Sequence, residues 1–188
     1  CGWSSLIISH ALNYNLKKKK IIRSLNYEFE IIENGKKFLE ICKKRNKIIS
    51  NNKIKTKYNF SKCYWTEFNN VISSCYEKIT SISPNFIYLD GPDPNSVLKK
   101  KTKDNDQYKK NLLPMSCDIL KFEYHLIPGT IILVDGRTSN ATFLKKNFKR
   151  NWIYFHDIKN DQSLFYLNDK PLGLRNKKQV AFFRKNFK

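Results

Sequence analysis

Two uninterrupted apolar runs organise the hydrophobic pattern of this chain. Phe86-Ile87-Tyr88-Leu89 leads into Asp90-Gly91-Pro92-Asp93, and Thr130-Ile131-Ile132-Leu133-Val134 leads into Asp135-Gly136-Arg137. Apolar runs without alternation predict strands covered on both faces, and the Gly-Pro and Asp-Gly steps forbid their continuation. Each strand would therefore end on a carboxylate at its carboxyl tip, the rim at which open α/β sheets bind ligands.

Helical and strand spacings alternate around these runs. Leu6, Ile7, His10, Ala11 and Tyr14 share a helical face behind the N-cap candidates Ser4 and Ser5, and the helix gives way at the basic run 17–20. Residues 27–32 predict a strand closed by Glu33-Asn34-Gly35, and Phe38, Leu39, Ile41, Cys42 and Arg45 predict an amphipathic helix. Residues 54–59 predict a strand ending near Ser61-Lys62-Cys63, and residues 68–79 a short helix. Met115, Ile119, Phe122 and Leu126 form one helical face, ended by Pro128-Gly129. Ala141, Leu144 and Phe148 follow a cap at Ser139 or Asn140. Residues 152–156 and 164–167 read as an antiparallel hairpin across Lys159-Asn160-Asp161.

The segment 92–114 is the longest polar stretch, which in a compact domain is either a functional lid or disordered. From Asp169 onward, Pro171-Leu172-Gly173 predicts ordered coil before a loosely held basic tail, 170–188. Gly2, opening a helix, implies a strand before it, expected ahead of Cys1. The alternation predicts one α/β domain over 1–188: a doubly wound, mostly parallel sheet with an antiparallel terminal hairpin.

Composition narrows the picture. With 188 residues, 40% apolar and 14% aromatic, the chain can bury one core and is not composed like a disordered segment. A formal charge of +20 is the signature of a nucleic-acid or anionic-membrane surface. The basic residues nevertheless fall in short scattered runs (17–20, 43–45, 99–101, 177–178) without aromatics at a repeating spacing, amid abundant Asn. Lys and Asn filling solvated positions account for that pattern, so nucleic acid ranks behind a small molecule as partner. The five cysteines, Cys1, Cys42, Cys63, Cys75 and Cys117, are odd in number and contain no Cys-x-x-Cys pair. Reduced thiols in a cytoplasmic protein fit this usage. His10, His125 and His156 stand at no metal-ligand spacing from them. No stretch reaches the roughly 18 apolar residues of a membrane span.

The predicted element order with its closing hairpin resembles the class I S-adenosylmethionine-dependent methyltransferases, a seven-stranded Rossmann-like family. Cys1-Gly2-Trp3-Ser4-Ser5 is similar to the back half of the family's glycine-rich first motif. The resemblance implies that Gly2, Trp3 and Ser4 let the backbone approach the cofactor at a helix start. It implies that Glu33 accepts both ribose hydroxyls with its two oxygens. Cys63 would lie at the adenine contact, where many members carry an acid, and Asp90 beside the sulfonium and the acceptor. More narrowly, Leu89-Asp90-Gly91-Pro92-Asp93, Met115-Ser116-Cys117-Asp118-Ile119-Leu120, Pro128-Gly129-Thr130 and Val134-Asp135-Gly136-Arg137-Thr138-Ser139-Asn140-Ala141 resemble a group of bacterial methyltransferase-like proteins. Catechol-type relatives hold a divalent metal between acids at two strand ends, and Asp90 and Asp135 match those places. They carry Asn where this chain has Gly136, and a basic lysine where it has Asp93 and Pro94.

Methyl transfer to a hydroxyl requires an acceptor held in line and help with its deprotonation. Asp90, Asp93 and Asp135 are the candidate bases, and His156 stays open; His125 fits a local hydrogen bond better. Arg137 either pairs with Asp135 or binds an anionic acceptor such as a phosphorylated sugar. Trp3 and Trp65 either wall the adenine or pack in the core. The expected activity is transfer of a methyl group to a small molecule or glycan precursor, by O-methylation, with a basic nucleic-acid-binding or RNA-modifying protein as the alternative.

Overall fold

A computed structural model describes residues 3–18, 27–49, 53–93, 96–98 and 115–186. The elements run α1 (Trp3–Lys18), β1 (Tyr27–Glu33), α2 (Lys36–Asn46), β2 (Ile54–Phe60), β3 (Cys63–Phe68), β4 (Val71–Tyr76), β5 (Phe86–Leu89), β6 (Val97–Leu98) and β7 (Met115–Ser116). They continue with α3 (Asp118–Phe122), β8 (Ile131–Asp135), α4 (Thr138–Asn147), β9 (Trp152–Asp157), β10 (Gln162–Leu167) and α5 (Gly173–Asn186). Among the described residues no helix is long and apolar enough to cross a membrane.

The chain is mixed α/β, and among the described residues its strands form three sheets. β1 and β2 pair in parallel along their whole length. A second sheet has the order β5-β8-β10-β9, with β5 parallel to β8, and β10 antiparallel to both β8 and β9. The predicted terminal hairpin is thus present, with β10 inserted between β8 and β9. A third sheet, β6-β3-β4-β7, mixes an antiparallel hairpin with two short parallel flanks. The sheets are partly parallel, and among the described residues they do not join into one doubly wound sheet.

Alternation along β8 and β10 explains why helices cover both faces of their sheet. Ile132, Val134, Phe165 and Leu167 pack into a core with Leu126, Ala141, Phe143 and Leu144 from the α3 and α4 side. Ile131 and Tyr166, register partners, point the other way and bury Val180 of α5. Each fully buried Leu or Phe contributes roughly 1.5–3 kcal/mol of transfer free energy, so these layers hold the molecule together. Phe148 stacks on Trp152 at 4.6 Å between centroids and meets Phe165 edge-on at 5.3 Å, closing the core beneath β9.

A buried carboxylate fixes the turn that follows α4. Glu123, 1% exposed, accepts from the Lys149 and Arg150 N–H groups and from Trp152 Nε1 at 2.9 Å. Arg150 in turn donates to the Glu123 carbonyl and pairs with Asp169 at 2.7 Å.

Three expectations fail here. Residues 68–79 form no helix: β3 and β4 make a hairpin around Asn69 and Asn70, whose φ values of 49° and 60° are left-handed. Asn tolerates that region, and two such residues in succession make the turn that hairpins favour. The helix predicted from Met115 to Leu126 is shorter. Met115 and Ser116 pair with β4 as β7, and a 3-10 turn at Glu123–His125 replaces the last helical turn. The tail is helix and not coil, because Asn176 accepts from the Leu172 N–H at 2.9 Å and donates to the Pro128 carbonyl at 2.8 Å, docking α5 on the sheet.

Candidate functional site: an acidic rim at the strand ends

The parallel register decides which acids meet. Leu89 of β5 lies opposite Val134 of β8, so the next residues, Asp90 and Asp135, are neighbours at the carboxyl ends of both strands. Glu33 is the last residue of β1, and its carboxyl feels the charges of Asp93 and Asp90. Four carboxylates, Glu33, Asp90, Asp93 and Asp135, therefore share one rim of a chain whose formal charge is +20.

Each acid is held by its own local geometry. Glu33 Oε1 accepts from the Asn34 and Gly35 N–H groups at 2.9 and 3.2 Å, closing the turn into α2. Asn34 Nδ2 then reaches the Asp93 carbonyl at 3.3 Å, tying that turn to the loop after β5. Asp93 Oδ2 accepts from Ser96 Oγ at 2.8 Å. Asp135 accepts from Tyr88 Oη through Oδ2 and from Gln162 Nε2, at 3.2 Å, through Oδ1. Ser4, in the first turn of α1, hydrogen-bonds with the same Tyr88 phenol. After Asp135, Gly136 turns with φ +61°, a conformation side chains resist. Gly91 is tightly placed too, since a Cβ there would meet Tyr76 Oη at 3.3 Å.

Electrostatically the rim is short of positive charge. Burial pushes the Glu33 carboxyl above its ordinary range against its two backbone hydrogen bonds, and Asp93 and Asp90 add to the rise. Burial also raises Asp90, opposed by Arg137 and reinforced by Asp135. The Tyr88 hydroxyl is pushed up to about 12, by burial first and then by Asp135. Among the described residues Arg137 forms no ion pair with Asp135. Its Nε donates to the Asp90 carbonyl at 3.0 Å and its Nη2 to the Pro92 carbonyl at 2.6 Å, so it clamps the turn after β5 to the turn after β8.

The other predicted residues fall elsewhere. Gly2 lies outside the described residues, as does most of the loop 92–114. Trp3 is 60% exposed and stacks on the Arg45 guanidinium of α2, 4.3 Å from its ring centre. Cys63 has no exposed surface; burial pushes its thiol up to about 12 and Ser74 hydrogen-bonds to it, so it cannot touch adenine in this arrangement. Trp65 is half-buried on β3, opposite Ser74 of β4. His125 is exposed in its 3-10 turn, and His156 Nδ1 pairs with Ser163 Oγ at 2.9 Å. An open groove of about 390 Å³ between Val71, Met115, Thr138, Phe143 and Lys146 contains none of the four acids.

Tyr88 and Gln162 are the site residues that sequence reasoning missed. The only available signal was register: Gln162 is the direct ladder partner of Asp135, and Tyr88 sits one rung before the tip of β5. Both Asp135 oxygens accept from neutral donors, and Arg137 stands beside Asp90. Among the described residues no group of three or more His, Cys, Asp or Glu side chains is placed to hold a metal ion. Compared with known protein families, with characterised proteins and with solved structures, the chain matches none.

Proposed function

We propose that the acidic rim binds S-adenosylmethionine and that the chain transfers its methyl group to a hydroxyl of a small molecule or glycan precursor. The observation that carries this reading is the convergence of Glu33, Asp90 and Asp135 from three strand ends, with Glu33 and Asp90 held above their ordinary pKa by burial and mutual charge. Such a site is stabilised by a bound cation. S-adenosylmethionine brings two, a sulfonium and an ammonium, together with a vicinal diol.

The residues present fit that ligand in part. Glu33 uses Oε1 for its own turn, which leaves Oε2 for a ribose hydroxyl. Among the described residues the Asp90 carboxyl accepts no side-chain hydrogen bond, and burial raises it despite the nearby Arg137 charge. Cys63 supplies no adenine contact. The doubly wound arrangement belongs to this proposal as well: if β2, β1, β5 and β8 are strands three, two, four and five of such a sheet, place one falls between β1 and β5. Among the described residues no strand occupies it.

When bound, the cofactor supplies an already activated methyl group, so the chain's task is positioning and proton removal. Asp90, with its raised pKa, is the better proton acceptor for an acceptor hydroxyl. Asp135 is occupied by Tyr88 and Gln162 and acts as their anchor. Isothermal titration of the full chain with S-adenosylmethionine tests the reading. Binding is expected, weakened about tenfold or more in Glu33→Ala through loss of a charged hydrogen bond; no detectable heat at high concentration overturns it. The charge of +20 favours a second reading, a nucleic-acid-binding or RNA-modifying protein. Its mark is an RNA affinity that falls steeply with salt.

A further inference from the structure

A second cluster of titratable groups lies where β4, β7 and α3 meet. β4 and β7 run parallel with Ser74 opposite Ser116, and the Cys117 N–H donates to the Ser74 carbonyl at 3.0 Å. The next residues in that register, Cys75 and Cys117, stand side by side, at the spacing of about 4.8 Å between adjacent strands that suits a disulfide. Both are free thiols and they hydrogen-bond to each other. Lys121, on α3, donates Nζ to Cys75 Sγ at 2.8 Å, and Asp118 Oδ1 lies 3.0 Å from the same sulfur. Asp118 is itself fixed by Ser116 Oγ at 2.9 Å and the Tyr76 N–H at 2.9 Å.

The pair behaves as a unit in its ionisation. Cys117 is pushed below the ordinary thiol range, chiefly because Cys75 hydrogen-bonds to it, and Cys75 is pushed above it by the same bond. Burial and Asp118, which accepts from the Cys75 thiol, raise Cys75 further, and Lys121 is the cation beside the pair. Cys117 has no exposed surface, whereas Cys75 is half-buried, so a reagent from solvent meets Cys75.

We propose that Cys75 and Cys117 form an oxidation site, at which a hydroperoxide joins β4 to the start of α3 through an intramolecular disulfide. The Cys75 proton moves to Cys117 as the Cys75 thiolate, under Lys121, attacks the peroxide oxygen. The O–O bond breaks, Cys75 becomes a sulfenic acid and hydroxide leaves, taking a proton from solvent to become water. Cys117 then attacks the Cys75 sulfur; the S–S bond forms, the S–O bond breaks, and the thiol proton leaves with the hydroxide as a second water. Two thiols are oxidised and one peroxide is reduced.

The test uses the full chain on a Cys1→Ser background, exposed to hydrogen peroxide and then digested without reduction. A peptide linking Cys75 to Cys117, short of two hydrogen atoms, is expected. It should be absent in Cys75→Ser and in Cys117→Ser, and present in Cys42→Ser and Cys63→Ser. In Lys121→Met its formation should slow about tenfold at neutral pH, as the thiolate loses its cation. Phenylarsine oxide, which needs two adjacent thiols, gives an independent reading: one equivalent per chain, lost on either single substitution. The proposal is overturned if both thiols remain alkylatable after peroxide treatment, if the bridge forms to Cys63 instead, or if Cys75→Ser keeps its arsenical stoichiometry.

Discussion

Glu33 illustrates how the rim sets a residue's behaviour against the habit of its type. A carboxylate in a folded protein is usually stabilised by partners and titrates low, but here burial wins over two backbone hydrogen bonds and the carboxyl titrates high. The sign follows directly. A raised folded value means the ionised form costs stability; the cost is full above that raised value and is gone below the ordinary 4.5. Glu33→Gln is therefore expected to raise the thermal midpoint at pH 7 and to show no gain near pH 3.5, as read by thermal scans across that range. A midpoint lowered at pH 7 would show that the carboxylate is net stabilising there. Glu123 is also buried and is supplied with donors from Lys149, Arg150 and Trp152. Glu123→Ala leaves those donors unpaired, and urea titration should show a loss of about 3 kcal/mol.

At the scale of elements, the β3–β4 hairpin depends on the left-handed pair Asn69 and Asn70. A β-branched residue pays about 1–2 kcal/mol in that conformation, so Asn70→Val should lower stability by that amount while Asn70→Gly should not, by the same urea measurement. This hairpin also shows where sequence reading stops. Phe68, Val71, Ile72, Cys75 and Ile79 fall at helical spacing, and only the Asn-Asn turn and the pairing with β3 decide for strands. β5 and β8 were legible because unbroken apolar runs stopped by Gly admit one reading. For the same reason the acids at their tips could be named in advance. Tyr88 and Gln162 could not, since their roles depend on cross-strand register. α5 was illegible because among its described side chains the docking contacts are Val180 and the polar anchor Asn176, too few for an apolar face to show.

At the scale of the whole molecule, an acidic rim sits in a chain of formal charge +20. That excess keeps copies apart, and one element gives them reason to meet. Among the described residues β9 is the edge of its sheet, with Ile153 51% and Phe155 63% exposed on one face. Such an edge pairs with its like once repulsion is screened. Light scattering should therefore rise as salt is added from low ionic strength, and Phe155→Lys should blunt the rise; scattering that falls with salt would point instead to attraction between unlike charges.

The Arg137 clamp has a consequence for any occupant of the rim. By joining the Asp90 and Pro92 carbonyls to the end of β8, it removes freedom from both turns before a ligand arrives. The entropy of ordering those loops is already spent in the empty protein, so association need not supply it. Replacing Arg137 with Ala should therefore leave the binding enthalpy nearly intact while the entropy of binding becomes less favourable, a division that calorimetry at a single temperature can read.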